Sequence, residues 1–230
     1  MSRLSETCDF SMLYIVSTPI GNLADFSSRG ISCLSACDYV LCEDTRRSQR
    51  LLKHYQVEKP LKSFHVFNES QMEERIVQDL LAEKNIALLS DAGTPLIADP
   101  GYALIRRCIK EKIPISTLPG PCAAIVALVL SGFPPLPFQC IGFFPKKKGL
   151  RSSVKAALQY SGTTIAYESP HRICKTLRIF LEMSPDRVLC LARELTKIHE
   201  ELLRGTPQEL LERLPAPRGE FVMLVGPFVN

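Results

Sequence analysis

Apolar residues fall along this chain in short blocks separated by polar or chain-breaking stretches. Leu13-Tyr-Ile-Val-Ser17 is an apolar, β-prone block cut off by Thr18-Pro-Ile-Gly-Asn22, and it predicts a buried strand. Tyr39–Cys42, Leu61–His65, Ile86–Ser90 and Ile113–Leu118 repeat the pattern. Helical spacing fills the gaps: residues 27–36, a segment running to His54, and 69–83 with Ile76, Leu80 and Leu81 apolar. Asp99-Pro100 is predicted to open another helix, with proline in its first turn, and Pro119-Gly-Pro121 a further one. Strands alternating with helices imply a mostly parallel sheet. In such sheets ligands bind beyond the carboxyl ends of the strands, so the loops at 18–25, 43–46, 91–95 and 119–123 are predicted to line one edge.

After residue 131 the composition shifts. Gly132-Phe-Pro-Pro-Leu-Pro137 reads as a linker, and Lys146, Lys147, Lys148 and Arg151 form a basic cluster beside Phe143 and Phe144. A helix, a strand at 163–167, a helix at 169–183 and a strand at 188–192 follow. A strand near 200–203, a helix at 206–214 and a last strand at 221–225 complete a predicted α+β half. The expected organisation is an N-terminal α/β domain over 1–131 and an α+β domain over 132–230. No internal repeat or low-complexity tract occurs.

The 230 residues are 46% hydrophobic and 23% charged, a globular balance. The net charge of +4 does not by itself announce a polyanionic partner; a clustered patch would say more. The nine cysteines contain no C-x-x-C pair and fit small apolar core residues in a reducing compartment, with no metal site expected. No run of about 18 apolar residues occurs, and Met1 to Ser11 lacks the apolar stretch of a signal peptide, so a cytoplasmic protein without membrane spans is expected.

Thr18–Asp25 lacks the lysine and glycine spacing of a phosphate-binding loop, and could be an ordinary turn in which Pro19 and Gly21 let the backbone approach a ligand. In Glu43-Asp44-Thr45-Arg46-Arg47 the ordinary reading is helix capping by Asp44, the functional one a polar cluster holding a substrate. Two aspartates and three breakers, Gly93, Pro95 and Pro100, lie within Asp91–Pro100, which suggests a shaped loop. In Tyr167-Glu-Ser-Pro-His-Arg172, Ser169 and Pro170 suit a helix start, leaving Glu168, His171 and Arg172 surplus to that need. Arg193–Glu201 is a charged loop or hairpin, and the basic cluster is either a solubilising segment or a grip on phosphates.

Taken in order, Thr18–Leu23, Glu43–Arg46, Ser90–Pro95, Asp99–Gly101, the Pro-Gly-Pro-x-Ala of 119–123, Tyr167–Arg172, Arg193–Glu201 and Gly219–Val222 resemble one family closely. They are similar to the ribosomal RNA small subunit methyltransferase I family of the tetrapyrrole methylases, over about Leu13 to Val225. The resemblance implies two α/β domains with a cofactor cleft between them, a homodimer, and S-adenosylmethionine as methyl donor. The acceptor it implies is the ribose 2′-hydroxyl of a cytidine in 16S rRNA of the small ribosomal subunit. By position it assigns cofactor contacts to Pro19, Gly21, Asp91, Gly93, Thr94, Pro95, Cys122, Ala123, Tyr167 and Val225. Cys122 stands where the family usually has serine, and many members carry a further small C-terminal region beyond the position of Asn230.

For the chemistry the residues offer Glu43, Asp44 and Glu168 as base or orienter, with His171 as a second-rank base. Arg46, Arg172 and Arg193 are suited to hold phosphates or carboxylates, and Lys146–Lys148, Arg151, Arg193 and Lys197 to grip RNA. The rival readings are a small-molecule methylase acting on a tetrapyrrole and a non-catalytic module that binds cofactor or RNA.

Overall fold

A computed structural model describes residues 11–146 and 148–227. The chain divides into two compact units, Met1–Pro121 and Cys122–Asn230.

In the first unit five short strands form one sheet: β1 (Leu13–Val16), β2 (Tyr39–Cys42), β3 (Leu61–Ser63), β4 (Ile86–Leu89) and β5 (Ile115–Leu118). Their order is β3-β2-β4-β1-β5, and every pairing is parallel. Parallel strands bury both faces, which explains why β1, β2 and β4 are apolar at every position instead of alternating. Leu13, Ile15, Leu41, Ile86 and Leu88 point to one face, where Ile76, Val77 and Leu80 of α3 (Glu69–Leu81) and Leu104 and Cys108 of α4 (Tyr102–Lys110) complete the core. Tyr14, Val16, Val40, Cys42 and Leu89 point to the other, against Leu34 of α1 (Ser28–Ala36) and Leu52 of α2 (Thr45–His54).

The second unit has a mixed sheet, ordered β6-β7-β10-β8-β9. Its strands are β6 (Phe138–Phe143), β7 (Thr163–Glu168), β8 (Leu189–Arg193), β9 (Glu201–Gly205) and β10 (Phe221–Val225). Only β6 and β7 run parallel. Phe221, Met223 and Val225 of the central β10 join Leu189, Leu191, Ala166 and Leu203 in a core closed by three helices. These are α6 (Leu150–Gln159), α7 (Ile173–Met183) and α8 (Pro207–Arg213). The opposite face is met by α5 (Ala123–Ser131), which packs on β10, β7 and β8.

Four expectations change. The strand β6 lies where composition pointed only to a linker and a basic cluster; its prolines precede it and its exposed edge carries Phe138, Ile141 and Phe143, which hides the usual alternation. Helix α5 packs on the second sheet, so the units divide after Pro121 and not after residue 131. Helix α4 starts at Tyr102, because Gly101 sits at φ 123° and breaks the chain after Asp99-Pro100. Helix α7 starts at Ile173: Ser169 does not cap it but receives the N–H groups of Arg172 and Ile173 in a tight turn.

Of the cysteines, Cys37, Cys42, Cys108 and Cys190 are buried and unpaired, and burial pushes the Cys37 and Cys108 thiols up to about 11. Among the described residues no three His, Cys, Asp or Glu side chains are grouped to hold a metal ion, and no helix is long and apolar enough to cross a membrane.

Phe180 is fully buried and meets Phe144 edge-on at 6.1 Å between ring centroids. Phe180→Ala is expected to cost about 3–5 kcal/mol. Thr206→Ala, which removes the capping box of α8, should cost only about 1 kcal/mol. Chemical denaturation of the two variants checks the contrast.

Candidate functional site

The carboxyl ends of the parallel strands place the loops after β1, β2, β4 and β5 on one edge of the first sheet, and side chains and backbone stitch them together. Thr18 and Gly93 exchange two backbone hydrogen bonds, of 2.9 and 3.1 Å, across an isolated antiparallel bridge. The Thr18 hydroxyl donates to Ser90 O at 3.2 Å, and the Ser90 hydroxyl to Gly93 O at 2.8 Å. Thr94 Oγ1 donates to Pro121 O at 3.0 Å and accepts from Ser17 Oγ at 3.3 Å, joining the β5 loop to the other two. Gly93 adopts φ 83°, a region that disfavours side chains, and a Cβ on Gly120 would lie 2.8 Å from Ser17 Cβ. The glycines are therefore set by close approach of loops.

Asp91 ties this knot to β2. Its Oδ1 accepts the Asp44 N–H at 3.1 Å and its Oδ2 pairs with Arg47 at 3.3 Å. Asp44 in turn caps α2, accepting the Arg46 N–H at 2.8 Å. The Arg46 N–H, with the guanidinium beside it, holds the Asp44 carboxyl below its ordinary value. Glu43 is exposed at the end of β2. Asp99, farther along the β4 loop, is pushed up to about 6, first by burial and then by the charges of Glu43 and Asp91. The far end of that loop is held by Glu69 of α3, whose carboxylate accepts the Gly101 N–H at 3.1 Å.

In the second unit Glu168 ends β7 with its side chain buried. It accepts the Ser169 N–H at 2.9 Å and the Thr176 hydroxyl at 2.7 Å, and lies 3.5 Å from Arg172. Arg172 also donates to Phe144 O and Pro145 O, at 2.7 and 2.9 Å. This pair fixes the turn after β7 and the segment after β6, which suits an orienter; a carboxylate so enclosed is poorly placed to take a proton from a substrate. His171 is exposed, and the Tyr167 ring meets Phe143 tilted at 48°, with centroids 5.5 Å apart. Val225 is 0% exposed and packs in the core of the second unit.

The basic residues separate. Lys146 and Lys148 are exposed, and Lys147 lies outside the described residues. Arg151 pairs with Glu182, Arg193 with Glu201 at 2.9 Å, and Lys197 with Glu194 and Glu220 at 3.0 and 2.9 Å. Arg193 and Lys197 thus brace the β8–β9 hairpin and its neighbour before they are available to a phosphate. Sequence reasoning missed Ser17, Thr18 and Ser90 as loop ties, and Asp99 as a site carboxylate. The one signal for Asp99 was its place in a breaker-rich loop after a strand.

Residues 12–211 match the tetrapyrrole (corrin/porphyrin) methylases. The chain is 44% identical, over 93% of its length and 95% of the relative's, to the ribosomal RNA small subunit methyltransferase I of Hydrogenobaculum sp.. It is 40% identical to that of Thermotoga maritima, over 93% and 97%, and 45% identical to that of Escherichia coli O157:H7, over 93% and 77%. The chain belongs to the ribosomal RNA small subunit methyltransferase I family. That membership makes it a methyltransferase. A solved diphthine synthase shares the fold, with TM-score 0.75 at 13% identity over 94% of this chain and 89% of that one.

Against this family the thiol at position 122 has a structural consequence. Cys122 occupies the N-cap of α5 at φ −139°, ψ 109°, a cap conformation, yet its side chain makes no cap hydrogen bond. Cys122→Ser should stabilise the protein by about 0.5–1 kcal/mol in thermal unfolding.

Asp99 gives a second expectation. With its folded value above the unfolded one, the folded chain holds a proton that the unfolded chain has released between about pH 4 and 6. Stability falls with rising pH across that window and stays lower above it. Asp99→Asn should therefore gain about 1–2 kcal/mol over the parent at pH 8, allowing for solvent screening of a half-buried group, and the gain should vanish at pH 4. Melting curves of both proteins at the two pH values check it.

Proposed function

We propose that this protein transfers a methyl group from S-adenosylmethionine to the ribose 2′-hydroxyl of a cytidine in 16S rRNA. The supporting observation is the relation to the named relatives over 93% of the chain, with its loop motifs gathered on one sheet edge. The residues present suit the cofactor. Gly21, Ala92 and Gly120 are exposed members of the three stitched loops, and none has a side chain beyond Cβ to cover the backbone polar groups beside it. The 18–22 and 91–95 loops of the first unit would hold it. Bound there, S-adenosylmethionine supplies an electrophilic methyl group on a sulfonium.

The chain's own contribution is then to fix the acceptor oxygen and receive its proton. Holding donor and acceptor in register is the larger effect, roughly 7–11 kcal/mol at best. A base adds about 10²–10⁴-fold. Asp44 is a weak base, since its carboxyl is held low by the helix it caps. Glu168 is enclosed by its own partners. Glu43 and Asp99 remain, one exposed and the other poised near neutrality. Arg46, exposed beside Asp44, acts as an orienting group in this reading. The protein acts in the cytoplasm as a homodimer.

Small-subunit particles lacking the modification, incubated with methyl-labelled S-adenosylmethionine, should acquire label on a cytidine ribose of 16S rRNA. Label on a base, or only on an added tetrapyrrole, or cofactor binding with no transfer, would overturn the assignment. For the base, single-turnover transfer should rise with pH through about 6 and then level off, and Asp99→Asn should lower the plateau by roughly 10²-fold with cofactor affinity preserved. An unchanged plateau in both Glu43→Gln and Asp99→Asn would remove these carboxylates from the chemistry.

A further inference from the structure

Helix α2 buries Ser48 and Leu52 and half-buries Thr45, Leu51 and Tyr55. Its exposed positions from 46 to 54 are Arg46, Arg47, Gln49, Arg50, Lys53 and His54. The helix contains no acidic residue. Arg46 pairs with Asp44 while keeping 87% of its side chain exposed, and Arg47 pairs with Asp91. Among the described residues no carboxylate is within ion-pairing distance of Arg50 or Lys53.

Folding does not account for this pattern. Arg46 and Arg47 sit in the first turn, where the positive end of the helix dipole disfavours cations. Arg46 and Arg50 at i, i+4, and Arg47–Arg50 and Arg50–Lys53 at i, i+3, are like-charge neighbours that destabilise a helix. A polyanion laid along the face would reverse both penalties. From Arg46 to Lys53 the helix rises about 10 Å, the reach of a few successive phosphates. The exposed face offers no apolar side chain to enter a lipid surface, which argues for a nucleic acid over a membrane. The helix also starts at the functional edge: Asp44 caps it, and Asp91 of the β4 loop holds the Asp44 N–H.

We infer that the solvent face of α2 is the docking surface for the phosphodiester backbone of the RNA substrate, leading a strand toward the loops that close the site. The inference rests on the ribosomal RNA reading above and assigns its grip to Arg50 and Lys53, outside the basic cluster at 146–151. It predicts a loss read through salt. Binding of protein-free 16S rRNA is measured over a range of salt for the parent, Arg50→Ala/Lys53→Ala and Arg50→Glu/Lys53→Glu. The alanine pair should reduce the slope of log affinity against log salt by about 1.4–1.8, since each lost phosphate contact removes about 0.7–0.9. The glutamate pair should bind weaker still while keeping a cooperative melting transition, because position 50 then opposes the charges of Arg46 and Arg47. KM for RNA should rise on the order of tenfold in the alanine pair, with cofactor affinity unchanged. An unchanged slope and KM in both variants would overturn the docking surface, as would loss of binding to anionic vesicles in place of RNA. Should the parent methylate no ribosomal RNA, the functional reading fails on its own, while the direct binding measurement still decides whether α2 holds RNA.

Discussion

Two backbone hydrogen bonds between Thr18 and Gly93 hold the functional edge together. Neighbouring parallel strands bring the carboxyl ends of β1 and β4 side by side, but loops leaving such ends splay unless something joins them. Here the join is made by main chain, so its geometry is independent of side-chain rotamers. The hydroxyls of Ser17, Thr18, Ser90 and Thr94 then add ties that carry the join to β5. Asp91 extends it to β2 with one oxygen on a backbone N–H and the other on Arg47. Four strands thereby share one rigid rim, which a reaction governed by alignment requires.

That rim is built at some cost in stability. Asp99 is half-buried among Glu43 and Asp91, with its proton held until about pH 6, and α2 begins with two cations at the wrong end of its dipole. Such local conflicts gather where a protein meets its substrates. The second unit shows the opposite economy. Glu168, Thr176 and Arg172, and the Glu194–Lys197–Glu220 group, are mutually satisfied and brace turns. Motifs of similar charge density therefore do different work: one set leaves charge facing solvent, the other closes it on itself.

Much of the first unit was legible along the chain. Four-residue apolar blocks followed by Gly, Pro and Asp turns have few solutions other than buried parallel strands, and Asp44 before Thr45-Arg46 carries the signature of a helix cap. The ordered motifs likewise carried the family. Less legible was β6, an edge strand whose outward apolar residues mask the alternation, and α5, whose uniform apolarity fits a helix against either sheet. Val225 was legible as a strand residue, but the direction of its side chain depends on the register of β10 between β7 and β8, where a shift of one residue would reverse it.

Sequence alone determined the strands and most helix bounds of the first unit, the capping of α2 and the family, because each rests on local spacing or on short strings in fixed order. Tertiary structure decided which carboxylates are occupied and which are exposed: Glu168 sealed by Thr176 and Arg172, Asp44 tied to its helix, Asp99 crowded by Glu43 and Asp91. It also decided that Arg193 and Lys197 face acids while Arg50 and Lys53 face solvent. The physical reason is that a charge's partners come from residues distant in the chain, and its burial from helices packed over it, neither of which is written in the spacing around the residue itself.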